Sequence, residues 1–156
     1  MAPCPAPPAI DLFVYGTLKP GEINHHVCAD YVRMAQPAIA QGSLYHLPLG
    51  YPAMSLAPAD LVYGYVLRCL DPGVVALLDR FEQHDPHLFR QLFPQHKVES
   101  HQYQRLPIQT YTHHRRPLAI AWSYTMTLSQ IQRLQGRRVA SGEWNQPAPN
   151  QRLKCL

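Results

Sequence analysis

Cysteine is scarce in this sequence of 156 residues: Cys4, Cys28, Cys69 and Cys155 lie far apart and form no Cys-x-x-Cys pair. Nor does any apolar run approach the ~20 residues that a membrane-spanning helix needs, so no membrane partner is expected. The first residues lack the charged start and long apolar core of a secretory signal. The expected setting is therefore cytoplasmic, with reduced thiols, and no structural role is expected of Cys4 or Cys155. No Gly-x-Gly-x-x-Gly or Walker loop is present, and no Ser or Cys sits in a nucleophile-elbow pattern. Dinucleotide, P-loop and acyl-enzyme chemistry fall away with them. Internal repeats are absent too. Charge is thin, with a net +4 spread along the chain and its densest spots at Arg115-Arg116 and Arg137-Arg138. Neither pair is interleaved with aromatics, so both read as solvated faces and no nucleic-acid partner is expected.

Proline and tyrosine are what the chain has in quantity, sixteen and nine residues. That mixture favours many short strands with irregular connections over a helical bundle. The length suits one domain, and an apolar content of 46% allows a core without metal or disulfide staples. Residues 1–10 read as a proline-rich tail, 11–146 as a single domain and 147–156 as a C-terminal tail. Strands are expected at Leu12–Tyr15, Ala38–Leu47, Leu61–Leu70, Tyr103–Tyr111 and Leu118–Met126. A further short extended piece follows the turn at Gly50-Tyr51-Pro52. Asp71-Pro72 is a helix start, with Asp as cap and Pro at the first helical position. Val74, Leu77, Leu78 and Phe81 then fall on one helical face. Residues 22–33 and Leu128–Gln135 read as short helices or turns, 113–117 as an exposed turn, and 84–102 as a long excursion with one helical turn. Gly64, inside the longest strand pattern, marks a bulge or a close packing point. The sum is an α+β fold: a curled sheet or small barrel with the 71–81 helix packed on it.

Two places can carry chemistry. The run Asp11-Leu12-Phe13-Val14-Tyr15-Gly16-Thr17-Leu18-Lys19-Pro20-Gly21 is a buried strand emptying into a tight turn. Gly16 permits a positive φ or a close backbone approach, and the turn can present N–H donors to a carboxylate or an oxyanion. Glu82 ends the firm helix at the edge of its apolar face, where a carboxylate is electrostatically disfavoured and can lean into a cleft. His84, Asp85 and His87 crowd together, but no third ligand stands at a recognisable spacing, and no metal is expected. Tyr103 and Tyr124, in apolar strands, read as core residues whose hydroxyls reach a partner.

The motifs also occur in a familiar order. Phe13-Val14-Tyr15-Gly16-Thr17-Leu18-Lys19-Pro20-Gly21 is followed by Gly42-Ser43-Leu44-Tyr45, Tyr51-Pro52-Ala53 and Leu78-Asp79-Arg80-Phe81-Glu82. Tyr103-Gln104-Arg105 and Ala121-Trp122-Ser123-Tyr124 complete the set. Over about residues 11–145 this resembles the γ-glutamylcyclotransferase-like superfamily. The nearest branch holds γ-glutamylamine cyclotransferase and the plant AIG2-like proteins. The resemblance implies a small mixed β-barrel with a few flanking helices. It also implies a cofactor-free, metal-free enzyme that releases 5-oxoproline from a small γ-glutamyl amide. Carried over by position, Tyr15, Gly16, Thr17 and Leu18 hold the substrate through the backbone. Glu82 is the general acid/base, raised in pKa by burial against Phe81, and Tyr124 is a cavity wall with its hydroxyl on the substrate.

The chain departs from the pattern in two places. Many relatives have Gly directly after the glutamate, where this chain has Gln83, and the 84–102 stretch is long. Both lie beside the expected site and point to a different amine-side pocket or to lost turnover. The second reading is therefore a small-molecule binding or regulatory module on the same fold. Neither the γ-glutamyl substrate nor the oligomeric state is specified by the sequence.

Overall fold

The computed structural model describes residues 9–145. Six strands and three helices follow one another as β1 (Ile10–Val14), β2 (Val32–His46), β3 (Pro52–Cys69), α1 (Gly73–Phe81), α2 (Pro86–Leu92), β4 (Gln104–Tyr111), β5 (Pro117–Thr125), α3 (Leu128–Arg133) and β6 (Arg137–Arg138). Their order in the sheet is β3-β1-β5-β4-β2-β6, and a further β2–β3 pairing closes the first five into a barrel. The β1–β5 contact is parallel, with Leu12 opposite Trp122, and the other pairings are antiparallel. The expected α+β architecture, a small mixed barrel with flanking helices, is the one formed. No helix among the described residues is long and apolar enough to cross a membrane.

β1 is apolar at consecutive positions because both its faces are covered. Phe13 points into the barrel with Ala38, Leu44, Met54, Val62, Val66 and Trp144. Leu12 and Val14 point the other way, toward Leu67, Val74, Leu78 and Tyr124. This is the period-two alternation of a strand sandwiched between two cores. α1 supplies the outer cover, with Val74 and Leu78 fully buried. A third apolar cluster joins α2 and α3 to the barrel end through Phe89, Phe93, Met126, Ile131, Leu47 and Ala53.

Several boundaries differ from the sequence reading. Ile10, read with the N-terminal segment, belongs to β1, its backbone paired with Cys69. Residues 1–8 and 146–156, with Cys4 and Cys155, lie outside the described residues. The pieces expected around 50–70 are one strand. Its continuity is masked because Ser43 pairs Ser55 while Gly42 pairs Asp60, which leaves residues 56–59 looped out and exposed. α1 begins at Gly73 rather than Pro72, yet the Asp71 carboxylate still accepts the Gly73 N–H at 2.8 Å. The 22–33 stretch forms two single 3₁₀ turns, His25–Val27 and Ala29–Tyr31. The 84–102 excursion holds more structure than expected. It contains α2, capped by Asp85 at the His87 and Leu88 N–H groups, and the 3₁₀ turn Val98–His101. Arg137-Arg138 is exposed but not merely solvated: it is the edge strand β6 on Tyr45 and His46, with Arg138 bound to Asp60 at 2.7 Å.

Of the two readings of Gly64, close packing is the one realised. Gly64 stays in unbroken register opposite Ala38, and a Cβ there would meet the Val14 carbonyl oxygen at 2.2 Å and the Phe13 ring at 3.1 Å. β1 and β3 therefore touch at a point where only hydrogen fits. Gly64→Ala is expected to cost about 3 kcal/mol of unfolding free energy by overpacking, measured by urea denaturation. A loss below ~0.5 kcal/mol, the usual range of a neutral surface change, would show that the strands are not so closely apposed.

Candidate active site

Where β1 leaves the barrel, the chain must turn past the start of β3. A Cβ on Gly16 would stand 2.6 Å from the Pro52 ring, so the glycine is required by close approach. The turn is knitted by its carbonyls: Gly16 O accepts from the Lys19 N–H at 3.1 Å and Thr17 O from the Asn24 N–H at 2.9 Å. Leu18 O accepts from His25 Nδ1 at 2.8 Å. The N–H groups of Gly16, Thr17 and Leu18 donate to no protein acceptor among the described residues. Three neighbouring backbone donors left open in one turn make a place for a carboxylate or an oxyanion.

Glu82 reaches the same place from α1. Its N–H closes the helix on Leu78 O at 2.8 Å, and Leu78 is clamped against Leu12 and Val14 of β1. The helix end is thereby delivered beside the strand end. Glu82 and residues 13–18 line one cavity of about 180 Å³, completed by Asn24, Tyr51, Pro52, Phe81, Gln83, Tyr103 and Tyr124. Burial, with no compensating hydrogen bond or cation among the described residues, pushes the Glu82 carboxyl up to about 8. Three residues earlier on the same helix, Asp79 is treated the opposite way. Burial opposes its charge, but the Tyr124 hydroxyl at 2.6 Å and the Arg105 guanidinium at 2.9 Å outweigh that and hold it below its ordinary value.

The expected site residues are thus brought together, with two qualifications of role. Tyr15 turns its ring into the barrel, donating its hydroxyl to Tyr124 O at 2.5 Å and accepting from Met54 N at 3.1 Å. Tyr124 is a wall of the cavity, but its hydroxyl proton goes to Asp79 rather than toward the cavity. The histidine cluster is dispersed: His84 Nε2 meets His101 O at 2.6 Å, Asp85 caps α2 and exposed His87 stands beside Gln91. Sequence reasoning placed Gln83 beside the site but did not assign Tyr51 or Asn24 to the cavity. Tyr51 was visible in the Tyr51-Pro52-Ala53 motif, whereas Asn24 lies in a stretch with no distinguishing pattern. Tyr103, expected to satisfy its hydroxyl in the core, does so on Pro52 O at 2.5 Å and also lines the cavity.

Comparison with known proteins identifies the family. The sequence matches the family described as "Gamma-glutamyl cyclotransferase, AIG2-like" over residues 12–146, and the chain belongs to that family. Membership supports a cyclotransferase-type role. No curated protein matches the sequence significantly. Among solved structures, YkqA from Bacillus subtilis is similar over 88% of this chain and 40% of its own, with 24% identity and a TM-score of 0.59. The chain thus spans about two fifths of that protein's length. An AIG2-like protein from Mus musculus is similar over 92% of both chains, with 19% identity and a TM-score of 0.63. A protein from Arabidopsis thaliana covers 89% of this chain and 71% of its own, at 18% identity and a TM-score of 0.57. At these identities the likeness shows a shared fold.

The raised Glu82 value has a consequence for stability. The unfolded chain releases this proton near the ordinary glutamate value of 4.5, while the folded chain keeps it up to about 8. Between those limits the native state binds more protons, so stability falls as pH rises. Relative to Glu82→Gln, the wild type is expected to lose stability with a slope approaching ~1.4 kcal/mol per pH unit across that window. Urea denaturation of both proteins at pH steps across the window measures it; parallel curves would place the Glu82 carboxyl at an ordinary value.

Proposed function

We propose that this chain is a γ-glutamyl cyclotransferase that converts a small γ-glutamyl amide or amine conjugate into 5-oxoproline and a free amine. The observation that carries this reading is the single unpaired carboxyl of Glu82 sharing a cavity with the open N–H groups of Gly16, Thr17 and Leu18. In the reaction the substrate's α-amino nitrogen bonds to its own γ-carbonyl carbon, and the γ-carbon–nitrogen bond of the amide breaks. One proton leaves the attacking nitrogen and one must reach the departing nitrogen. A carboxyl with a value near neutrality does both in turn, as base and then as acid. No oxidant, cofactor or covalent enzyme intermediate enters the balance.

Because attacking and attacked groups belong to one molecule, the protein's task is to fold the glutamyl chain into a ring-closing geometry. The turn at 16–18 supplies donors for the α-carboxylate or for the negative charge that develops on the γ-carbonyl oxygen. The rings of Phe13, Phe81 and Tyr124 wall the cavity from water. A base that must first ionise sets the pH response: activity rises with pH toward the Glu82 value of about 8.

The test is release of 5-oxoproline from a panel containing γ-glutamyl-ε-lysine, several γ-glutamyl amino acids and glutathione. Turnover of at least one is expected, with Glu82→Gln reducing kcat by about 10³-fold or more, as loss of the group that moves both protons. Gly16→Ala is expected to raise KM by forcing Pro52 and the turn apart. Binding of 5-oxoproline without turnover of any member would replace the enzyme by a binding module, the reading that Gln83 and the 84–102 excursion favour.

A further inference from the structure

The 84–102 segment crosses from α1 to β4 over a stack of aromatic and histidine rings that the proposed chemistry does not use. His84 stands at its neck and is 3% exposed. Its Nε2 lies 2.6 Å from the His101 carbonyl oxygen. A carbonyl only accepts, so Nε2 carries the proton. Burial, with the ring of His101 adding to it and the His101 carbonyl opposing it, lowers the His84 value, which keeps the imidazole neutral. Nδ1 is then bare, and it faces the hydroxyl of Tyr51, which must donate to it. The ring cannot easily swing away. It packs 5.5 Å from Phe89, 5.6 Å from Tyr103 and 5.7 Å from Tyr51, centroid to centroid. The backbone N–H of His84 is held by Gln102 Oε1 at 3.0 Å.

Tyr51 lines the cavity with Glu82. We infer that His84 is a positioning residue for that cavity: the His101 carbonyl fixes its tautomer, and its bare Nδ1 holds the Tyr51 hydroxyl proton turned outward. Tyr51 then meets a ligand as a hydrogen-bond acceptor. The group such an oxygen selects, next to a carboxyl, is an amine with several N–H bonds. This specificity role rests on the cyclotransferase reading, in which the α-amine must lie beside Glu82; the His84 tautomer does not. The excursion that sets this chain apart thereby acts on the site through one imidazole.

Glutamine and asparagine separate the two ring nitrogens. His84→Gln places an amide nitrogen near the Nε2 position, keeping the His101 contact and removing the acceptor for Tyr51. His84→Asn places an oxygen near Nδ1, keeping the acceptor and losing the His101 contact. His84→Gln is expected to raise KM about tenfold, the worth of one hydrogen bond, with kcat little changed and 5-oxoproline binding weakened alike. His84→Asn should rescue both. Tyr51→Phe should match His84→Gln, and the double variant should be no worse than either single one. Equal losses in the Gln and Asn variants, following their melting temperatures, would reduce His84 to a clasp on the segment and overturn the inference. Nitrogen NMR of the imidazole reads the tautomer without any activity. A proton on Nε2, on an imidazole that takes up a second proton only below the usual histidine range, is expected, and a proton on Nδ1 would overturn it. If that tautomer is found but the wild type neither turns over nor binds 5-oxoproline, the cyclotransferase reading falls and the His84–Tyr51 couple stands.

Discussion

The contact on which the site depends is the packing of α1 against the outer face of β1. Leu12 and Val14 on the strand meet Val74 and Leu78 on the helix, and all four are buried. Burying side chains of this size stabilises each by ~1.5–3 kcal/mol. The pairing also fixes where both elements stop. The strand ends at the turn with open N–H groups, and the helix ends at Glu82. A slip of one residue along β1 would turn Leu12 and Val14 into the barrel and Phe13 outward. The Gly64 contact with the Val14 carbonyl opposes such a slip from the opposite side.

A second packing arrangement ties the turn down from behind. Lys19 is buried, and its Nζ donates to the Trp144 carbonyl at 2.5 Å, while burial lowers its value. Trp144 fills the barrel interior and donates its indole N–H to His46 Nδ1 at 3.1 Å. The segment leading to it is pinned by Val139 N–H on Leu44 O and Tyr63 N–H on Gly142 O, both 2.8 Å. A lysine is rarely sunk this far without a full carboxylate partner. Here its burial joins the cavity-side turn to the C-terminal part of the barrel, so the turn inherits the rigidity of the core.

Much of this was legible in the sequence because it is local. The strand–Gly–Thr turn, the Asp71 start, the Val74–Leu78 stripe and the position of Glu82 at a helix end each follow from spacing within a few residues. The order of motifs then placed them in one barrel. What escaped depends on distant partners. Residues 56–59 interrupt β3 because they loop out opposite the Gly42–Ser43 step, and no local pattern announces that. The Tyr124 hydroxyl belongs to Asp79 only because β5 passes α1, and Arg105 joins them from β4. Tyr51 and His84 meet across the cavity wall for the same reason. Arg137-Arg138 looked like surface charge because a two-residue strand has too little length to show a period.

The polar groups of the cavity fall into two sets once their protons are followed. Tyr15 donates to Tyr124 O, Tyr103 to Pro52 O, Tyr124 to Asp79 and Tyr51 to His84. Every hydroxyl proton of these four tyrosines is thus directed into the protein, and only acceptor capacity remains for a ligand. Donors come instead from the 16–18 backbone, and Asn24 and Gln83, which also line the cavity, carry side-chain amides. The two carboxyls of α1 are divided in the same way. Asp79, ionised by its partners, holds Tyr124 in place, and Glu82, left without partners, keeps its proton near neutrality. Environments of this kind drive two carboxyls apart and suit one to structure and the other to the proton transfer of the proposed function. A glutamyl group carries a carboxylate that wants donors and an amine that wants acceptors. On the proposed function, a cavity with both sets orients it before any proton moves, and Glu82 is the group that then takes and returns one.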